Sequence, residues 1–275
     1  MKFSEIKHKI KDLGNFKNLE EIKKAGLRIV RNTKTGDYWL IEEEFLKPVI
    51  KSPRECKTIL IKPEDLKYKV LMVHKSKEEL KGKKVLDYIE WGEKQGFHKR
   101  PTCKSRKWWW SLEGIIPSFT RGLFINDRFI TSLNNVGYVD AELIMPVFKD
   151  LTVDPKNIAH FLNSSVGNLF LELAGRVALG EGALKIQNYE YEEVMVLKIS
   201  LKYPQEYNVF KSIFTELCFD PNKPIREQEP NPLPDRKALD DIVFDALGLT
   251  EEERKEVYWA VAELVQNRLK KAKSV

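Results

Sequence analysis

The sequence has no run approaching the roughly 18 consecutive apolar residues that span a bilayer. Its opening, MKFSEIKHKIKDLG, alternates lysines with apolar residues and lacks the apolar stretch of a signal peptide. The expectation is a cytoplasmic protein with no membrane partner. Cysteine is scarce, and Cys56, Cys103 and Cys218 lie far apart with no C-x-x-C pair. That excludes zinc-finger spacing and a disulfide framework, and reads as reduced structural thiols. Glycine never falls into G-x-G-x-x-G or a P-loop, and the spacing in LGEG (179–182) is too short to cradle a phosphate. There is no G-x-S-x-G elbow, and His8, His74, His98 and His160 are isolated. Histidines 74 and 160 adjoin apolar runs and read as core or boundary residues. EIKK (21–24) and PEDLKYK (63–69) fit a nuclease-like carboxylate–lysine pattern only as chance would supply in so Lys- and Glu-rich a chain. No catalytic residue, cofactor site or metal site is expected in this chain.

What is present is charge, unevenly spread. The formal net charge is +6, but residues 1–137 carry +12 and residues 138–275 carry −6. Residues 46–107 alone hold 18 basic and 8 acidic side chains. Such a surplus is the footprint expected of phosphate contacts, although a solvated Lys/Glu-rich surface has the same composition.

Periodicity and turn residues suggest two short helices at 4–13 and 18–25, the second ended by Gly26. A hairpin follows, LRIVRNT (27–33) and DYWLIEEEF (37–45), turned by Thr-Gly-Asp. Strand-like runs occur at 58–63, 69–74, 122–127, 128–133 and 142–148, and helices at 83–95, 155–163 and 166–178. Between 220 and 235, DPNKPIREQEPNPLPD places five prolines in sixteen residues, which prevents helix and central strand alike. A helical hairpin over 236–247 and 251–272 turns at Gly248-Leu249-Thr250, with Thr250 and Glu253 spaced as a capping box. The fold class expected is α+β, with mixed, mostly antiparallel sheets flanked by helices and a C-terminal helical hairpin. The expected division is a body over 1–219, a proline-rich linker over 220–235 and the hairpin over 236–275.

The most unusual segment is HKRPTCKSRKWWWSL (98–112), which shows neither period and is expected to be a loop or irregular strand. Its cations Lys99, Arg100, Lys104, Arg106 and Lys107 precede three tryptophans. In an extended chain Trp108 and Trp110 point one way and Trp109 the other, so one face packs while the other faces a ligand. Lys104 and Arg106 share a parity and can reach a groove together. Tryptophans that only pack, flanked by solvated lysines, remain the alternative. A second candidate surface comprises Arg121, Asn126 and Arg128, with Thr120 and Asp127, at presumed strand ends; these are also ordinary turn residues. The expected DNA-binding residues are therefore Lys99, Arg100, Lys104, Arg106, Lys107, Trp109, Arg121, Asn126 and Arg128.

FLKPVIKSPRE (45–55), SRKWWWSL (105–112), FLNSSVGNLFLELAGRVALGEGALKI (161–186) and the final segment from Asp235 together resemble the C-terminal part of N6-adenine DNA methyltransferases. In that family a TaqI-type specificity domain follows the catalytic domain. The resemblance runs in order from about residue 40 onward. It implies a target-recognition module of a restriction-modification system whose partners are double-stranded DNA and a methyltransferase catalytic domain or subunit. S-adenosylmethionine is expected in that missing or partner domain. The family's Asn-Pro-Pro-Tyr motif is absent; the nearest string, Asn231-Pro232-Leu233-Pro234, sits in the proline segment. Residues 161–186 read as core packing, with Asn163 and Ser164 capping or turning and Gly180 and Gly182 allowing a tight bend. The competing expectation is a protein–protein adaptor that does not bind nucleic acid.

Overall fold

A computed structural model describes residues 3–141, 143–146, 154–178, 182–197, 201–204 and 207–273. They form two compact units, one built from the chain up to Pro48 with Tyr68–Gly114, the other from Val49–Lys67 with the chain from Ile115 onward.

A β-hairpin organises the first unit. Strands β1 (Leu27–Arg31) and β2 (Tyr38–Glu42) pair antiparallel, from Leu27 opposite Glu42 to Arg31 opposite Tyr38. Asn32 Oδ1 accepts the N–H groups of Lys34 and Thr35 in the connection, and Gly36 takes φ +78°, where a side chain is strained. Alternation along β2 sends Trp39 and Ile41 into one core and Leu40 into another. Ile22, from helix α1 (Leu19–Lys24), joins Ile6, Ile10 and Leu27 on the Leu40 side. Val85 and Ile89, from helix α2 (Lys84–Lys94), join Val73 and Leu80 on the Trp39 side. Glu42 ends β2 and accepts the N–H groups of Lys84 at 2.7 Å and Val85 at 3.0 Å. A carboxylate there occupies free donors of the first turn and complements the positive helix end.

The helix expected at 4–13 is shorter. Only Phe3–Ile6 is α-helical, Lys7–Lys9 tightens to a 3-10 turn, and Ile10–Lys11 pairs parallel with Tyr38–Trp39. No side chain caps the 3-10 turn, and a helix so short is marginal, so pairing with the hairpin edge supplies the better backbone partners.

Helices dominate the second unit. Helix α3 (Pro155–Asn163) is capped by Asp154, which accepts from Lys156 N at 2.9 Å. Helix α4 (Ser165–Ala174) follows after one residue, Ser164, whose Oγ accepts from Gly167 N at 3.1 Å. The two helices meet so closely that a Cβ on Gly167 would lie 2.1 Å from Phe161 O. Helices α5 (Pro234–Leu247) and α6 (Glu251–Lys273) form the hairpin, turning on Gly248 at φ +66°. The capping box is present: Thr250 N donates to Glu253 Oε2 at 2.8 Å, and Glu253 N to Thr250 Oγ1 at 3.3 Å. Phe161, Leu162, Leu171, Val243, Phe244 and Val261 share one core, so the hairpin buries its apolar face in this unit. The proline segment is irregular but pinned to α6. Ile225 is buried, Trp259 Nε1 donates to Gln228 O at 2.7 Å, and Gln266 Nε2 donates to the carbonyls of Pro221 and Lys223.

The strands of this unit are short. Phe124–Ile125, Leu184–Lys185 and Arg176–Val177 form an antiparallel trio, Phe119–Thr120 pairs antiparallel with Ser132–Leu133, and Val49–Ile50 runs parallel to Tyr138–Val139. The longer strands expected over 122–133 do not form. Arg268 takes the carbonyls of Ile125 and Asn126 that a continuous ladder would use. Residues 58–63 make a single bridge, Leu60 with Leu133. Of the strand expected at 142–148, Leu143 bridges Gly122, while Glu142, Val147 and Phe148 lie outside the described residues. So do residues 179–181, including Gly180; Gly182 takes φ +62°. Helices with small, mostly antiparallel sheets make this an α+β fold. No helix among the described residues is long and apolar enough to cross a membrane.

Candidate nucleic-acid interface

The basic aromatic segment lies wholly in the first unit and is not extended. Phe97–Lys99 is a 3-10 turn, and Pro101–Lys104 is one helical turn with proline at its first position. Proline there loses nothing, because that N–H has no intrahelical acceptor. Ser111 N donates to Trp108 O at 2.9 Å, which folds the tryptophans into a second turn. Trp108 and Trp110 stack with centroids 6.2 Å apart, and Trp109 stands perpendicular to Trp110. Adjacent indoles therefore diverge as the sequence suggests, by a turn instead of strand alternation.

Trp109 and Trp110 are anchors. The Trp109 ring covers Gly92 on α2, and its Nε1 donates to Glu93 Oε1 at 3.0 Å. Trp110 Nε1 donates to Lys75 O at 3.3 Å. Glu93 also accepts from Lys77 Nζ at 2.6 Å. Burial alone raises the Glu93 pKa, but the hydrogen bonds from Lys77 and Trp109 outweigh it and hold the carboxyl below its ordinary value. The segment is thus tied to α2 by packing and by a charged acceptor.

The cations stand outside these anchors. Lys99, Arg100, Lys104 and Lys107 are exposed, and Arg106 is half-buried with Nη1 donating to Trp109 O at 3.3 Å. Arg106 therefore braces its own turn and does not project beside Lys104 as an extended chain would have it. Arg100 lies over the Phe97 ring and Lys107 Nζ sits 4.3 Å from the Trp108 ring centroid. None of the five pairs with a carboxylate among the described residues, whereas Lys75, Lys77, Lys83 and Lys84 of the same unit each do. The surplus charge at 99–107 is uncompensated where it is densest.

Arg121, Asn126 and Arg128 lie together in the second unit, around a cavity of about 710 Å³. Asn126 and Arg128 are exposed, but Arg121 is 1% exposed. Arg121 is therefore an interior cation and not one of a turn reaching outward. Among the described residues its Nε and Nη1 have no hydrogen-bond partner, and its guanidinium lies 5.9 Å from the Tyr191 ring centroid. Desolvation lowers its pKa, with Tyr191 and Glu172 opposing that shift. Arg54 and Lys57 line the same cavity, and sequence reasoning singles out neither. The available signal was the capping box Ser52-Pro53-Arg54-Glu55, which fixes a turn with Arg54 on its outside: Arg54 N donates to Ser52 Oγ, and Ser52 N to Glu55 Oε2. Cys56, on the same wall, is buried, and burial pushes its thiol pKa up to about 12, so it supplies no nucleophile at neutral pH.

His160 is the boundary residue expected, half-buried with Nδ1 2.7 Å from Tyr207 Oη, whereas His74 is exposed, its Nδ1 3.1 Å from Ser111 Oγ. The Asn163-Ser164-Ser165 motif is fully buried. Asn163 Oδ1 accepts from Thr131 N and its Nδ2 donates to Thr131 O, both at 2.8 Å, as a strand neighbour would.

Together these features describe an α+β module with an uncompensated cationic surface. Residues 30–218 match the family described as the C-terminal domain of the type II methyltransferase M.Eco57I, and the chain belongs to that family. No curated protein and no solved structure matches the chain.

Proposed function

We propose that this chain is a DNA target-recognition module, of the TaqI-type specificity class, serving an N6-adenine DNA methyltransferase of a restriction-modification system. Family membership supports the methyltransferase association. The observation that carries DNA as the ligand is the set Lys99, Arg100, Lys104, Arg106 and Lys107, free of carboxylate partners among the described residues and mounted on a tryptophan-anchored turn. Phosphate contacts made by such cations set register and release counterions, while base edges are read by fewer side chains. Trp109, in this reading, acts by holding the cationic turn. A catalytic domain or subunit carrying S-adenosylmethionine extracts and methylates the adenine, because a stacked base is out of reach.

The test is a gel-shift titration of duplex DNA over a range of salt concentrations. Binding should be detectable at low salt and fall steeply as salt rises. Replacing Lys99, Lys104 and Lys107 together by alanine should flatten the salt slope by about three, roughly one for each phosphate no longer neutralised. Binding that ignores salt, or a triple variant indistinguishable from the parent chain, would leave the adaptor reading in its place.

A further inference from the structure

The cavity of the second unit combines two kinds of surface. Among the described lining residues, Arg54, Lys57 and Arg128, with Arg121 buried behind them, supply positive charge against one carboxylate, Asp127, and Phe124 and Phe210 supply aromatic surface. Phe124 is 56% exposed, an unusual position for phenylalanine, and Lys185 Nζ lies 5.6 Å from its ring centroid. At about 710 Å³ the cavity is within the range that holds small organic ligands.

Arg121 adds to the positive charge of the wall from behind it. A buried guanidinium with unsatisfied N–H groups is costly unless a counter-charge compensates it. The carboxylate nearest in effect, Glu172, is already held by Arg268, which donates from Nη2 at 2.6 Å and Nε at 3.2 Å. Arg121, 1% exposed, is sealed behind the cavity wall and adds positive charge behind the surface that Arg54, Lys57 and Arg128 present. The wall is also rigid. Arg268 holds Asn126 O at 2.6 Å and Gly182 O, and a Cβ at Gly122 would meet the Pro53 ring at 2.8 Å. Such a cavity is built for an anion that carries a flat apolar group.

The geometry points to a binding site for a single nucleotide unit, its phosphate held by Arg54, Lys57 and Arg128 and its base laid on Phe124. This rests on the DNA-binding reading, since the nucleotide is taken to be one residue of a bound strand turned out of its stack. Base–aromatic stacking tolerates any base, so the site adds grip without adding sequence preference.

The inference is tested by calorimetry on the full chain, with a deoxynucleoside 5′-monophosphate, inorganic phosphate and the matching deoxynucleoside as separate probes. The nucleotide should bind about tenfold more tightly than phosphate, and the deoxynucleoside should not compete. Arg54→Ala with Arg128→Ala should weaken nucleotide binding by about tenfold or more, and Phe124→Ala should erase the preference of nucleotide over phosphate. These three positions are exposed, so the variants stay folded even if a change at Arg121 does not. Absence of nucleotide binding, equal binding of nucleoside and nucleotide, or indifference to the Arg54/Arg128 variant overturns the inference. Duplex binding by the same chain is measured in parallel. Salt-dependent duplex binding without nucleotide binding defeats the cavity assignment alone; nucleotide binding without duplex binding defeats the DNA reading and leaves the cavity with a free nucleotide.

Discussion

The Trp109 indole lies so close over Gly92 that a Cβ at position 92 would meet its ring at 2.6 Å. Gly92 is buried in the last turn of α2, where glycine still weakens a helix relative to alanine. Its presence is explained by this contact, which docks the cationic turn on the hairpin unit.

Gly92→Ala sets two effects against each other. Helix propensity favours alanine by about 1 kcal/mol, whereas overpacking a close contact costs roughly 1–3 kcal/mol. The ring cannot simply slide, because its Nε1 is held by Glu93. The expected outcome is net destabilisation in urea unfolding, with changed tryptophan fluorescence. A more stable Gly92→Ala protein would show that Trp109 is not fixed there.

The second unit is tied together by buried charge. Arg236 Nε donates to Glu216 Oε2 at 2.8 Å, Ser165 N donates to Asp240 Oδ1 at 2.6 Å, and Lys211 N donates to Glu216 Oε1 at 2.7 Å. Burial raises the Asp240 pKa, with Arg236 and Ser165 opposing it. Arg236→Met leaves two buried carboxylates without their cation and should cost about 3–5 kcal/mol. Lys237→Ala, next in sequence, removes only an exposed i,i+4 pair with Asp241 and should change stability by less than about 0.5 kcal/mol. Urea midpoints of the two variants make the comparison. Equal effects would mean that the buried network contributes nothing.

Burial lowers the His160 pKa to about 4, against an ordinary value near 6.5, with Asp154 opposing the shift. Between those values the unfolded chain binds a proton that the folded one does not, so stability falls as pH drops from 6.5 towards 4. The ring also stacks on Tyr203 at 4.6 Å, and protonation would place a charge in that stack. Unfolding measured at about pH 7 and about pH 5 should show a loss at the lower pH that shrinks in His160→Gln. A loss of the same size in the variant would assign the pH dependence to other groups.

Local rules carried far in this chain. Helices α3, α5 and α6 and the hairpin β1/β2 follow from apolar spacing, from caps at Asp154 and Thr250, and from turns at Asn32 and Gly248, all of which act within a few residues. The burial of Asn163-Ser164-Ser165 follows from the apolar helices on either side. The cationic turn was visible as composition, since charge and aromatic content need no partner to be read.

Tertiary structure decided the rest, because each remaining feature depends on a residue distant in sequence. Trp109 is an anchor because Gly92 and Glu93 receive it. The strands at 122–133 stay short because Arg268, 142 residues away from Asn126, takes carbonyls that a sheet would use. Arg121 looked like an outward turn residue and is instead an interior charge, since the strands that flank it bury it beneath Tyr191 and the cavity wall. Sequence determines which side chains carry charge and how each segment coils; only packing at long range determines which of those charges meet solvent and which face a cavity.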